Sequence, residues 1–355
     1  DYIMKNKKFQ LSVLTINYKS PYRKELLDLN SPKIKEISDL YNVKWIDRSK
    51  FFYVFDWIIN IFKKIRTSDI IHVTGYFNLY TIFVVIINTI FRKKIVISAR
   101  GSIQALEEFD DVKNRVLKLL FIKIFNFFVI RNKTFWLVTT MSEAQSNNKY
   151  LRLKTFSSIN PIDIPRMVQE KKREKISVSF ISRFSAKKGL PIFLETSKML
   201  PKERFEIKIA GTGESNLIEL VKSYVDKNEN FEYCGVLKGK SKDSFYNKTD
   251  ILFLPSKSEN FGIVVAEALA NGCSIVTSIP DPWSKYESPG LIRVVSRENL
   301  DNLSFLRKQI ISIADIRSEI SKPRVKCVEI ARKNLSSKVS DKELKKLYEN
   351  IVLLK

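Results

Sequence analysis

Residues 249–278 set the strongest limit on how this chain can fold. Ile251–Leu254 is a short apolar run bounded by polar residues and proline, which is typical of a buried strand. A polar loop follows, and residues 261–271 then have the composition of a helix that Gly272 ends. Residues 273–278 read as a second buried strand. The stretch is therefore predicted to be a strand–loop–helix–strand crossover, which places the chain in the α/β class with parallel sheets.

Two carboxylates lie in this unit, Glu259 in the loop and Glu267 inside the predicted helix. Ligands of open α/β sheets bind beyond the carboxyl ends of the strands, where this loop lies. The amides of Phe261, Gly262 and Ile263 begin the helix and attract an anion such as a phosphate oxygen. The carboxylates would accept hydrogen bonds from sugar hydroxyls. Two solvated surface glutamates would show the same spacing, so spacing alone leaves both interpretations open.

The unit resembles the E-x7-E signature of retaining glycosyltransferases of family 4, which have the GT-B fold of two facing Rossmann-like domains. The resemblance extends over roughly the last half of the chain and, more weakly, over part of the first half. It implies that Glu259 meets the donor sugar and that Glu267 binds the ribose hydroxyls of the nucleotide. It also implies an acceptor-side domain at 1–165, a donor domain at 174–335, and a helix at 340–355 that packs back on the first domain.

The chain has 355 residues, enough for two α/β domains, and its 62 basic and 38 acidic residues give a net charge of +24. Such a surface favours anionic partners, which are nucleic acid, anionic lipid or small anions. No nucleic-acid-binding motif is present, so no nucleic acid is expected as a partner. Three scattered cysteines fit buried thiols in a reducing cytoplasm, and the single histidine excludes a multi-histidine metal site.

Two apolar segments of the first half raise the question of membrane contact. The longest apolar run, residues 79–91, is short of the ~20 residues needed to span a bilayer and is predicted to be a buried helix. Residues 113–131 are apolar and basic. They fit either a helix lying on an anionic membrane, which would suit a lipid-linked acceptor, or a core helix with a solvated basic edge. The location predicted from these features is cytoplasmic, with peripheral contact at the inner face of the cell membrane.

Two predicted strands of the first half, residues 69–73 and 94–98, end in glycine turns. These turns resemble the paired H-x-x-G and x-R-G-S turns of family members that build surface polysaccharides, with an arginine where many relatives carry a cleft histidine. A lone histidine on an apolar strand is more often a hydrogen-bonded core residue than a functional one. The weak acceptor-side candidates are Arg100, Gly101, His72 and Gly75.

The start of the chain departs from the resembled pattern. The sequence begins at Asp1, without an initiator methionine, and its first strand is predicted at residues 10–16. Nothing matches the glycine-rich loop that precedes this point in the family. Either the chain is an N-terminally truncated member or its start is divergent, and we expect truncation.

In the second half, the predicted strand 176–182 ends at Arg183, and Lys188 follows in the turn. This resembles the family's G-R-x-x-x-x-K-G element, with Ser182 where glycine is common. An arginine and a lysine at a strand end can clamp a diphosphate. The resemblance implies that Arg183 and Lys188 neutralise the leaving nucleoside diphosphate.

The family places further nucleotide contacts at a G-x-G element and after the next strand. Gly211 and Gly213 would form that element here, although a structural turn is a real alternative. Val236 lies where the family sets the base against the backbone.

Together these features predict a retaining, hexosyltransferase-type enzyme that moves a sugar from a nucleotide-diphosphate sugar to a glycan or lipid-linked acceptor, in surface polysaccharide or glycolipid synthesis. No cofactor is expected. No metal is expected either, because no Asp-x-Asp occurs and the basic residues supply positive charge. Two alternatives remain: a catalytically inactive nucleotide-sugar-binding protein, and a basic nucleic-acid-binding protein. A nicotinamide dehydrogenase is disfavoured, because no predicted strand leads into G-x-G-x-x-G.

Overall fold

The computed structural model describes residues 10–17, 28–29, 31–40, 42–47, 53–104, 106, 115–129, 133–166, 168, 170 and 174–354. The described first half contains β1 (Val13–Asn17), α1 (Pro32–Leu40), β2 (Val43–Asp47), α2 (Tyr53–Thr67), β3 (Ile70–Thr74), α3 (Leu79–Phe91), β4 (Lys94–Ser98), α4 (Arg115–Val129), β5 (Thr134–Val138), α5 (Met141–Tyr150) and β6 (Lys154–Ser157). Strands β1 and β2 pair with each other, and β3-β4-β5-β6 form a four-stranded sheet. Every pairing in both sheets is parallel.

The second half contains β7 (Ile176–Phe184), α6 (Leu190–Lys198), β8 (Phe205–Gly213), α7 (Ser215–Lys227), β9 (Phe231–Tyr233), α8 (Lys240–Asn247), β10 (Ile251–Leu254), α9 (Ile263–Ala270), β11 (Ser274–Thr277), β12 (Ile292–Val294), α10 (Leu303–Glu319), α11 (Pro323–Leu335) and α12 (Ser337–Leu353). The sheet order is β12-β11-β10-β7-β8-β9, with parallel pairing throughout. The order of strands reverses between β7 and β10. Such a switch point opens a crevice at the carboxyl ends of the two strands.

Aromatic and branched side chains form the core of the second half. All four residues of β10 and of β11 are buried, as expected of central strands covered on both faces. Phe193 of α6 packs against Phe180 and Phe253, with ring centroids 5.1 and 5.8 Å away. On the other side, α9 buries Val265 and Leu269 against the same cluster. The α/β class with parallel sheets is thus confirmed.

Two layers of helices cover the first sheet. Val85 of α3 and Phe125 of α4 pack in one cluster with Ile95 and Ile97 of β4. The intervening residue, Val96, points to the opposite face of the strand. There it packs with Leu347 and Ile351 of the last helix, α12. The Lys94 ammonium also donates to the Val352 carbonyl, at 3.0 Å. The C-terminal helix therefore follows the second half in sequence but packs on the sheet of the first half.

Two helices begin at residues other than those predicted from the sequence. α9 begins at Ile263 rather than at residue 261, because Gly262 has φ 73° and cannot continue a helix backwards. α12 begins at Ser337 rather than at 342, since the polar residues before the apolar stripe also join the helix. No helix in the described ranges is long and apolar enough to cross a membrane.

Candidate functional site

The crevice between β7 and β10 brings two predicted residues together. Lys188 lies in a short 3-10 turn after β7, and Glu259 lies in the loop after β10. Gly189 makes their approach possible: it has φ 69°, and a Cβ there would lie 1.9 Å from the Pro255 carbonyl oxygen. Only glycine lets the turn after β7 rest this closely on the end of β10.

Lys188 and Glu259 form an ion pair, in which the Lys188 ammonium donates to Glu259 Oε2. Both side chains are largely withdrawn from solvent, with 15% and 19% of their surface exposed. A charge-assisted hydrogen bond of this kind is stronger than a neutral one and fixes both groups in place. The pair sets a cation, which attracts anions, beside a carboxylate, which accepts hydrogen bonds from hydroxyl groups. Arg183, at the end of β7, exposes its side chain at the same edge.

Glu267 is held by a neighbouring helix that the sequence analysis did not connect to the site. Its carboxylate accepts from Lys242 Nζ at 2.6 Å and from the Tyr246 hydroxyl at 2.9 Å, both on α8. Burial, and then the charge of Glu267, raise the pKa of Tyr246 well above its usual value. The spacing of Lys242 and Tyr246, four residues apart on one helix, was the signal that could have identified them.

The three residues predicted to contact the donor after Glu259 differ in how far they are buried. Phe261 is buried, and its carbonyl accepts from Trp283 Nε1 at 2.8 Å. Gly262 fits against Ile279, since a Cβ would come within 2.8 Å of its Cδ1 atom. Ile263 is half exposed and begins α9. Of these three predicted donor contacts, only Ile263 is exposed at the surface.

Gly211 lies in β8 and Gly213 is its last residue, so neither lies in a turn. They stand opposite Ser182 and Phe184 of β7. A Cβ at either glycine would lie 1.9 Å from a carbonyl oxygen of that strand. Both glycines therefore serve close packing of the two strands, and the turn interpretation is wrong. Val236 follows β9 and is exposed.

The acceptor-side candidates meet at the carboxyl edge of the first sheet. Arg100 Nη1 donates to Asn160 Oδ1 at 2.6 Å, and the Gly101 amide donates to Glu143 Oε1 at 2.7 Å. The Gly75 amide donates to the Ser98 carbonyl at 2.9 Å. Asn160, which the sequence analysis did not assign to the site, orients the Arg100 guanidinium at the domain junction.

His72 is a hydrogen-bonded residue of this edge. Its Nδ1 lies 2.7 Å from the Tyr348 hydroxyl and its Nε2 lies 2.8 Å from Ser98 Oγ. The ring retains solvent-accessible surface, yet the surrounding protein, and then the nearby Arg100 charge, lower the pKa of His72 from 6.5 to about 4. The imidazole is therefore neutral at pH 7 and tied to the last helix.

This pKa shift predicts how stability depends on pH. Below pH 6.5 the unfolded chain binds a proton on His72 that the folded chain does not accept until about pH 4. The contribution of His72 is thus present above pH 6.5 and is lost as the pH falls toward 4. We expect the free energy of unfolding, measured by urea denaturation, to fall less steeply over this range in His72→Gln. Equal slopes in the two proteins would contradict the shift.

Sequence reasoning missed a polar cluster that joins the two halves of the chain. Asn260 Nδ2 donates to Thr139 Oγ1 at 2.9 Å and to Glu143 Oε2 at 3.1 Å. Its Oδ1 accepts from Thr140 Oγ1 at 2.9 Å. Asn260 is the neighbour of Glu259, so the loop of the ion pair is bound to the first sheet. Within the described ranges, no three His, Cys, Asp or Glu side chains could hold a metal ion together.

Comparison with known proteins finds a family match in the second half of the chain. Residues 163–334 match the model of the glycosyl transferases group 1 family. A 109-residue stretch is 28% identical to an uncharacterized 41.2 kDa protein in the cps region of Klebsiella pneumoniae. That match covers 31% of this chain and 29% of the relative, so the chain spans less than a third of the curated relative's length.

Solved structures match over nearly the whole chain. HepE of Anabaena, solved in complex with UDP and glucose, has a TM-score of 0.69 at 12% identity, covering 96% of this chain and 100% of that one. A glycosyltransferase from Rickettsia africae also has a TM-score of 0.69, at 14% identity, covering 98% and 100%. At these identities the likeness shows the fold. The chain has the GT-B fold, and its second half matches the glycosyl transferases group 1 family.

Proposed function

We propose that this protein is a retaining glycosyltransferase that moves a sugar from a nucleotide-diphosphate sugar to a hydroxyl of a glycan or lipid-linked acceptor. The observation that carries the proposal is the Lys188–Glu259 pair at the switch point of a glycosyl transferases group 1 domain. Glu267, held by Lys242 and Tyr246, lies on the helix that follows and faces the ribose in this proposal. The UDP and glucose in the complex of HepE make UDP-glucose the first donor to test.

The chemistry assigns a separate task to each group. Arg183 and Lys188 stabilise the negative charge that develops on the departing diphosphate, and this electrostatic term is usually the largest in such a site. They supply the positive charge that a metal ion provides in other enzymes. Glu259 orients the donor sugar and supports positive charge developing at its ring. The acceptor hydroxyl then attacks on the face that the diphosphate leaves.

Sugar transfer tests the proposal directly. The chain is incubated with UDP-, GDP- and ADP-sugars and with lipid extracts or oligosaccharides, and release of nucleoside diphosphate is measured. We expect one donor to be consumed, and proton NMR of the product to show the anomeric configuration of the donor. Product of opposite configuration would contradict the retaining mechanism. Donor binding without turnover by any acceptor would favour a nucleotide-sugar-binding protein instead.

We further propose that the protein works on the inner face of the cell membrane through the outer side of α2, α3 and α4. These helices form one layer, in which Trp57 of α2 contacts Phe83 of α3, and Val85 of α3 packs in one cluster with Phe125 of α4. The outer side of this layer carries most of the large apolar side chains that are exposed in the described part of the chain. They are Val54, Phe55, Ile59, Phe62, Tyr80, Phe83, Ile90, Val116, Leu117, Leu120, Ile124 and Phe127.

The charges on this helical face fit an anionic bilayer. In α2, α3 and α4 the described charged residues are basic, apart from Asp56. The basic residues are Lys63, Lys64, Arg66, Arg115, Lys118 and Lys123. Apolar side chains that enter the headgroup region, flanked by lysine and arginine, are typical of an interfacial surface. The predicted contact at 113–131 is thereby extended to three helices; Lys113 and Arg131 lie outside the described residues.

Vesicle binding tests this face. Phe55→Glu on α2 and Leu120→Glu on α4 should each weaken binding to vesicles containing phosphatidylglycerol by at least about 10-fold, because each removes an exposed apolar side chain that would enter the bilayer and adds a negative charge. Met199→Glu, an exposed apolar position in the second half, is the matched control and should bind normally. Equal binding to pure phosphatidylcholine vesicles, or no effect of either substitution, would contradict the contact.

A further inference from the structure

Glu143 is fully buried, and its carboxylate accepts hydrogen bonds from both domains. Its Oε1 accepts from the Gly101 amide at 2.7 Å, and its Oε2 accepts from the Thr139 amide at 2.9 Å. Burying a carboxylate is costly unless donors surround it. The same Oε2 also accepts from the Thr139 hydroxyl at 3.0 Å and from Asn260 Nδ2 of the other domain at 3.1 Å. An internal anion of the first domain thus binds the loop that carries Glu259.

The orientation of Asn260 is fixed by the groups it meets. An ionised carboxylate only accepts hydrogen bonds, so the amide nitrogen of Asn260 must face Glu143. Its second hydrogen reaches Thr139 Oγ1 at 2.9 Å. Its oxygen faces the Thr140 hydroxyl, which also caps α5 by accepting from the Glu143 amide. No other residue type of this size offers two donors and an acceptor in this arrangement.

Gly101 makes room for the same contact. It has φ 72°, and a Cβ at this position would lie 2.8 Å from Asn260 Cβ. A side chain here would both strain the backbone and push Asn260 away. The glycine of the R-G-S turn is therefore explained by the residue that packs on it from the second domain.

We propose that Asn260 and Glu143 form a latch between the domains that positions Glu259 for sugar transfer. The role of Glu259 in this inference rests on the proposed function. The latch itself rests on the geometry alone. Asn260 holds one side of the loop on the first domain, and the Lys188–Glu259 pair holds the other side on the second. The latch thereby sets the place of the donor sugar relative to the acceptor edge around Arg100. Asn260 is a positioning residue, not a catalytic one.

Asn260→Asp tests the latch most sharply, because it sets a second carboxylate where Glu143 requires a donor. We expect kcat to fall by about 100-fold, as a displacement of ~1 Å can cost in an active site. Nucleotide affinity should stay within about twofold, since its proposed contacts all lie in the second domain. Asn260→Ala, which removes the bonds without adding charge, should give a smaller loss of kcat. Lys257→Ala, an exposed side chain of the same loop, is the control and should behave as the wild type.

Domain arrangement provides a readout that does not require activity. Small-angle scattering should show a larger or more variable domain separation for Asn260→Asp than for wild type and Lys257→Ala. If wild type transfers no sugar, the proposed function fails while this comparison still tests the latch. Unchanged separation together with unchanged kcat in Asn260→Asp would overturn the latch. A loss of nucleotide affinity equal to the loss of kcat, at unchanged separation, would also overturn it.

Discussion

Replacing Lys188 with methionine should lower the rate of sugar transfer by about 100- to 1,000-fold, the usual effect of removing one group that stabilises charge in a transition state. Methionine keeps much of the volume of lysine and removes the cation that faces the leaving diphosphate. It also leaves Glu259 without the partner that fixes its orientation. Steady-state kinetics with the preferred donor would measure the effect.

Two further variants separate charge from position. Lys187→Met, one residue earlier, should retain the wild-type rate within about twofold, because the substitution keeps the backbone carbonyl that accepts from the loop after β10. Lys188→Arg keeps the charge and should recover part of the activity, although its planar fork meets the carboxylate differently. A wild-type rate for Lys188→Met would show that the ion pair is structural and that the diphosphate lies elsewhere.

Replacing Glu267 with alanine should weaken nucleotide binding by about 10- to 100-fold. A single charge-assisted hydrogen bond, such as one from a ribose hydroxyl to this carboxylate, contributes about 1.5–3 kcal/mol. The carboxylate is held ready for such bonds by Lys242 and Tyr246, so little ordering is needed when the nucleotide arrives. Titration calorimetry with the nucleoside diphosphate would give the dissociation constant.

Glu219→Gln is the matched control for this effect, because Glu219 is exposed on α7. Deoxyribose analogues sharpen the result further. If Glu267 binds the ribose hydroxyls, wild type should discriminate against the 2′-deoxynucleotide and Glu267→Ala should not. Equal discrimination by both proteins would place the ribose away from Glu267.

Sequence patterns were sufficient for much of the fold because its strands are buried and bounded by turn residues. Ile251–Leu254 and Lys94–Ser98 form strands with the predicted limits, since the first is wholly apolar and the second has an uninterrupted apolar centre. The helix predicted at 79–91 is correct, but only one side is buried: Val85 is fully covered, while Ile90 is 70% exposed. Its large apolar residues lie on every side and its Thr81 and Asn88 are buried, so composition alone could not show which side faces the core.

The site was predictable where it depends on local motifs and not where distant segments meet. The sequence identified Lys188 and Glu259 separately, but their contact needs β7 and β10 to be neighbours across the switch point. Glu143 and Asn260 are 117 residues apart, and neither stands in a local pattern that marks a ligand. Their importance follows only from burial and from the donors around them. Long-range polar contacts of this kind have no signature in a single sequence.

The measurement that tests the central claim most directly is a thermal-shift panel of UDP, GDP, ADP and their sugars against the wild-type chain. A ligand at 100 times its dissociation constant stabilises the folded state by about 2.7 kcal/mol. Our account predicts that one nucleoside diphosphate and its sugar raise the melting temperature, and that Glu267→Ala abolishes the rise. A panel in which no nucleotide shifts the wild-type protein would contradict the account.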